Sequence, residues 1–139
     1  MTFDISSLDK ETENSFDVPV VFDADGNAVA GFKVVGKNSA EFRAARRKQE
    51  VTAIKRAGVR GGKQPDAKTD DGAAYYLDNA AENELSLAAA CVVGLYGFSK
   101  DGVALLRTDE VLIDLFSKRP TWREKVSGAI EVDANFIKG

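Results

Sequence analysis

The apolar and polar positions divide the chain into stretches of different period. Residues 18–22 (VPVVF) and 28–35 (AVAGFKVV) are β-branched and aromatic, and the run DADGN lies between them. Two such runs around an Asp-Gly signal predict a β-hairpin over residues 17–35. Pro19 has no N–H for a ladder, so the first strand is expected at a sheet edge. Gly36, Lys37, Asn38 and Ser39 then stop the strand. Ser39 is placed to cap a helix over residues 38–57, with Phe42 in its first turn. Residues 58–72 (GVRGGKQPDAKTDDG) have no hydrophobic period and predict a mobile linker.

The stretch ENELSLAAACVVGLYGF, from Glu82 to Phe98, is small or apolar from Leu85 onward, with Ser86 its one polar side chain. A helix apolar on every side must be wrapped by other elements, so it is expected to be the central helix. Asn79 is its expected cap, Glu82 and Glu84 suit its positive end, and Gly94 and Gly97 stop it near Gly97. SKDG at 99–102 predicts a turn. Thr108 is expected to cap a helix over residues 111–118, which the Arg119-Pro120 step ends. Thr121 is expected to cap a last helix over residues 122–137, whose apolar stripe includes Asp133 as its one polar member.

These elements predict an α+β fold in a single domain: an N-terminal β-hairpin attached to a small, mainly α-helical domain. A polar arm over residues 1–15 precedes the hairpin and orders only on contact, and the helical core spans 79–137.

Composition narrows the function classes. With 139 residues, 44% apolar and 29% charged, the chain fits one soluble domain. Its net charge of -3 gives no general attraction to nucleic acid or an anionic membrane. The apolar helix falls short of the roughly 20 residues of a membrane span. The acidic opening MTFDISSLDKETENSFD lacks the basic-then-apolar order of a secretory leader, so a cytoplasmic location is expected. The single cysteine, Cys91, has no intramolecular partner and reads as a small core residue.

No histidine occurs in the sequence, which removes the commonest general base, most zinc sites and every His-dependent triad. Cys91 has no base in its segment, and an apolar setting raises a thiol pKa. Lys63 is followed by Gln64, so GGK is not a phosphate loop. Counted from Asp23, the twelfth position is Val34 where a calcium loop needs Glu. Asp23 with Asp25, and Asp70 with Asp71, are read as turn and loop carboxylates. The expectation is a protein without catalytic activity, cofactor or metal.

The order of motifs adds a resemblance. PVVFDADGNAVAGFKVVGKNS leads into EFRAARRKQ, then ENELSLAAACVVGLYGF, then LIDLFSKRPTWREKVSGAIEVDANFIKG. Over most of residues 16–137 this resembles the tail assembly chaperones of long-tailed bacteriophages. The C-terminal pattern is carried by Leu115, Pro120, Val126, Asp133 and Phe136. Many members carry a tryptophan after the central apolar helix; here Tyr96 or Phe98 would fill that place.

The resemblance implies a protein that coats the long helical tape measure protein and keeps it soluble while tail tube subunits assemble around it. A frameshifted longer form usually supplies the part that binds the tail tube protein. It also implies a location in the host cell cytoplasm and absence from the mature virion. Candidate partner-binding residues are Phe42, Arg43, Arg46, Arg47, Tyr96, Phe98, Trp122 and Phe136. Trp122 reads as core more readily than as a stacking platform. The arginines, the edge strand and the acidic pairs Asp70-Asp71 and Asp109-Glu110 predict a homo-oligomer. Two other readings stand beside this one. One is a virion structural subunit of the head-tail connector type. The other is a nucleic-acid-binding regulator that uses the basic helix over residues 41–56; the acidic remainder makes nucleic acid the weaker partner.

Overall fold

Where the hairpin ends, Ser39 does two jobs. Its Oγ donates to the Gly36 carbonyl at 2.6 Å and accepts from the Phe42 N–H at 3.2 Å, so the strand exit and the helix start share one buried hydroxyl. The computed structural model of the chain describes residues 2, 4–6, 14–58, 65–132 and 135–137. In order these form β1 (Phe16–Phe22), β2 (Ala28–Val34), α1 (Ala40–Ala57), α2 (Asp70–Cys91) and β3 (Val92–Tyr96). Then come β4 (Ser99–Lys100), β5 (Val103–Ala104), α3 (Asp109–Lys118) and α4 (Pro120–Glu131). Most of the expected arm over residues 1–15, residues 59–64 of the expected linker, and Asp133 lie outside the described residues.

The fold is α+β, with an N-terminal antiparallel hairpin and four helices. The Asp23 carboxylate accepts the Asp25 and Asn27 N–H groups, both at 2.9 Å, and Gly26 takes a positive φ, which closes the hairpin turn. β1 lies at the sheet edge, with Pro19 opposite Gly31 and the register slipping just beyond it. That is where a residue without an N–H is tolerated.

The sheet has a third strand, and this corrects the expected central helix. The helix ends at Cys91, and Val92–Tyr96 pairs antiparallel with β2, setting Phe32 opposite Leu95 and Lys33 opposite Gly94. The physical reason is local chemistry joined to an open partner. Ala88, Ala89 and Ala90 favour helix, whereas β-branched Val92 and Val93 suit the second, unpaired edge of β2. The N–H of Val35 donates to the Cys91 carbonyl at 2.9 Å and seals the junction.

The same helix starts earlier than expected. Thr69 caps it, its Oγ1 accepting from the Gly72 N–H at 3.0 Å, and Asp70 and Asp71 occupy the first turn. Residues 69–72 are therefore helix start, not linker, and Asn79 is an interior residue of α2, not a cap. Gly72 is required because a Cβ there would run into the Asp66 carbonyl.

At the C-terminal side, Thr108 caps α3 through the Val111 N–H at 3.2 Å. Thr121 does not cap α4. Arg119 holds that position without a side-chain bond, and Pro120 supplies the preset first turn. α4 ends at Glu131, so the expected helix to residue 137 is also corrected. Phe136 instead sits in a turn and returns to the core, 2% exposed.

One face of the sheet carries the core. Phe32 is fully buried with ring centroids of Phe98, Phe116 and Trp122 within 5.1–6.3 Å. Val18, Val20, Val34, Val35, Ala88, Ala89, Cys91, Val92, Leu112, Val126, Ile130 and Phe136 belong to the same cluster. From this body α1 and the first half of α2 stand out as a two-helix arm. α1 has no buried residue, and in α2 only Gly72 is buried before Ala88. At 1.5 Å per residue, α1 is about 27 Å long.

Candidate partner-binding groove

The arm is held by side chains that reach from α1 to α2. Gln49 Nε2 donates to the Asn83 carbonyl at 2.8 Å, and Arg56 Nη1 lies 3.4 Å from Asn79 Oδ1. Small residues (Ala45, Ser86, Ala90) alternate along the seam with polar ones (Gln49, Asn83, Arg56), and the two helices leave a groove of about 680 Å³. Its floor is made by half-buried Ala45 and Ala90 and buried Ala89; exposed Ala44, Lys48, Thr52 and Arg56 form a rim. The start of α3 closes the end nearest the body with Asp109 and Ile113.

Arg107 anchors that end. Its guanidinium donates through Nε to the Val92 carbonyl at 2.8 Å and through Nη2 to the Ala89 carbonyl at 3.1 Å. Nη1 lies 3.0 Å from Asp109 Oδ1. The Ala89 carbonyl, which also accepts from the Val92 N–H, lies at the C-terminal pole of α2, where a cation is favoured. One side chain thus fixes the α2–β3 junction, the approach to α3 and the groove wall.

The eight residues expected to bind partners occupy several places. Phe42 is half-buried at the base of α1 and lines a smaller pocket of about 330 Å³ with Leu87 and Ile130. Arg43 folds back, its Nη2 donating to the Asn38 carbonyl at 2.6 Å. Arg46 is 3.9 Å from Glu50, an exposed pair of little energetic weight. Arg47 is exposed on the same helix. Phe98 and Trp122 pack together at 5.5 Å over Phe32, with Arg119 5.1 Å above the indole. Tyr96 lies across the sheet and donates to Asp17. Phe136 is buried against Gly36 and Phe16. The structure brings the three arginines to one helix and Phe98 to Trp122, and brings Tyr96 and Phe136 to neither group.

Sequence reasoning missed the groove alanines and Arg107. The seam positions 45, 49, 52 and 56 of α1, and 79, 83, 86 and 90 of α2, repeat at threes and fours, which was the available signal. The anchoring by Arg107 had none, because the two carbonyls it binds lie 15 and 18 residues away.

Burial pushes the Cys91 thiol up to about 12, with the Glu41 carboxylate adding to it, so this cysteine is no nucleophile at neutral pH. Burial also raises the Tyr96 phenol, helped by its bond to Asp17. Among the described residues no group of three or more Cys, Asp or Glu is placed to hold a metal ion, and no helix is long and apolar enough to cross a membrane. No protein-family model, curated protein or solved structure matches the chain.

Proposed function

We propose that this chain is a non-catalytic binding module, a tail assembly chaperone of a long-tailed bacteriophage, which receives a helical segment of the tape measure protein in the groove of its two-helix arm. The groove is the observation that carries this reading. A floor of alanines lets a partner helix approach closely, since interhelical distance is set by the side chains at the contact. A rim with cations at Lys48 and Arg56 and a carboxylate at Asp109 gives orientation. This is the helix-in-groove mode, in which a partner's apolar stripe leaves water. The resemblance over most of residues 16–137 to tail assembly chaperones is what points to this partner. On the same reading the protein works in the host cytoplasm, acts before the tail tube protein closes around the tape measure, and is absent from the virion.

Co-expression with the tape measure protein of the same phage tests the proposal. The tape measure protein should stay in the soluble fraction and co-purify with the chain. Ala44→Trp and Ala53→Trp, which fill the groove from exposed positions, should abolish both effects while the far-UV circular dichroism stays unchanged. Equal precipitation with and without the chain, or full activity of both tryptophan variants, overturns it. Detection of the chain in purified particles would favour the virion-subunit reading instead.

The exposed cations of α1 are the one feature that suits a nucleic-acid backbone, and α2 works against it with five carboxylates and no cation alongside. Binding that falls steeply with salt would favour that reading.

A further inference from the structure

The groove of the arm carries its charges at fixed levels. Ala44, Lys48, Thr52 and Arg56 follow one another at every fourth position and form one row along the α1 rim. Of the six cations of α1, Lys48 and Arg56 are the two that line the groove. Among the described residues neither makes an ion pair. Eight positions separate them, about 12 Å at the helical rise. At the body end the sign changes, with Asp109 from α3 and Glu41 from the start of α1. Arg107 ties Asp109 to the level of the Ala89 carbonyl, and Ala89 lies six positions past Asn83, the residue that Gln49 binds. Asp109 therefore stands about 9 Å nearer the body than Gln49 and about 20 Å from Arg56. Its side chain is 73% exposed, so it can take a second cation beside Arg107.

We infer that the groove selects its partner by charge spacing: it takes an amphipathic helix with two carboxylates about two turns apart and a cation one to two turns beyond them. This selection rests on the groove being a helix-binding site, and it adds the chemistry of the segment that fits. Residues i and i+7 lie on one face of a helix, so both carboxylates can meet the row that holds Lys48 and Arg56. Residue i+11 lies on that face too, and a cation there meets Asp109. Between these contacts the partner's apolar stripe packs on Ala45, Ala90 and Ile113. Because the groove has one end of each sign, the order of charges along the partner sets the direction in which it lies.

A helix with cations in place of those carboxylates would set them against Lys48 and Arg56, and like charges placed together at an interface are strongly unfavourable. A uniform polyanion fits no better, because its charge would meet Asp109 and Glu41 at the body end. Exposed ion pairs contribute little each, so apolar contact with the floor supplies the affinity. The charges at the rim supply the choice of segment and its direction.

Three synthetic peptides of about 20 residues, matched in helicity and sharing one stripe of Leu and Ala, test it by fluorescence anisotropy with the full chain. The first carries Glu at i and i+7 and Lys at i+11. The second has Lys at all three positions, and the third moves the charges of the first by two positions, off the face. At low salt the first should bind about tenfold tighter than the others, the summed weight of a few exposed pairs. Rising salt should narrow the gap. The chain with Lys48→Glu and Arg56→Glu, both exposed, should keep its circular dichroism spectrum and reverse the preference toward the all-lysine peptide. Equal binding of all three peptides, still blocked by Ala44→Trp, overturns the inference and leaves the groove reading intact. A preference that survives the double exchange also overturns it, because the selecting charges then lie elsewhere. If no peptide binds, the inference falls as well, and co-purification with the tape measure protein judges the groove reading separately.

Discussion

The hydroxyl of Tyr96 lies over Gly31, at 2.6 Å from where a Cβ would stand, and so reaches Asp17 Oδ2 at 3.1 Å. One side chain on β3 thereby crosses β2 and ties down the edge strand β1. The same Cβ would meet the Val18 carbonyl at 2.6 Å, and a backbone oxygen cannot swing away as a phenol can. Gly31→Ala should therefore cost about 1–3 kcal/mol in urea unfolding, within the range for overpacked sites. Tyr96→Phe, which removes only a solvent-accessible bond, should cost less. A Gly31→Ala chain as stable as the parent would show that the strands are not packed this closely.

Phe136 closes the other end of the sheet. A Cβ on Gly36 would stand 2.6 Å from its ring, Phe16 meets it edge-on at 6.3 Å, and Asn14 Nδ2 donates to its carbonyl at 2.6 Å. Phe136→Ala should destabilise the chain by about 3–5 kcal/mol, as for other buried aromatics. A thermal midpoint unchanged by this substitution would mean that residues 135–137 do not dock on the core.

The parts of the fold legible in the sequence are those fixed by neighbours in the chain. Ser39 and Thr108 announce their helices because a cap reaches only three residues on, and DADGN announces its turn for the same reason. Residues 92–96 misled because a short apolar run has no period that separates a buried helix from a buried strand. What decides the case is the vacant edge of β2, some 60 residues earlier in the chain. Thr69-Asp70-Asp71 did carry a helix-start signal, hidden by the Gly, Lys and Asp around it. The basic face of α1 was legible, but its groove was not, because it depends on the register set by Gln49 and Asn83.

Arg107 gives a prediction that separates charge from geometry. Its fork serves two carbonyls and one carboxylate, and Lys keeps the charge without the fork. Arg107→Lys should lose most of the stability lost by Arg107→Ala, about 1.5–3 kcal/mol for charged hydrogen bonds. Amide exchange should speed up across β3 and the start of α3, while α1 keeps its parental rates. If Lys restores full stability, the anchoring is electrostatic and the hydrogen-bond geometry is incidental.

Cys91 contributes to a loss of stability at alkaline pH. The thiol is fully buried at the end of α2, and its pKa rises from 9.0 to about 12, first through burial and then through the Glu41 carboxylate. A raised pKa means that the folded chain keeps a proton which the unfolded chain releases near pH 9. Above that pH the unfolded state binds fewer protons, so stability falls as pH rises. The contribution is complete below pH 9 and is lost progressively toward pH 12. Tyr96 acts in the same sense, since its phenol is also raised, so the comparison is best made in a Tyr96→Phe background. There, the urea midpoint should drop between pH 8.5 and pH 10.5, about the range over which unfolded thiols ionise, and Cys91→Ala should flatten that drop. The same burial predicts that a thiol reagent at pH 8 labels the native chain only as fast as the chain opens. Complete labelling within the mixing time, with the fold intact by circular dichroism, would place Cys91 at the surface and remove the basis for this alkaline loss of stability.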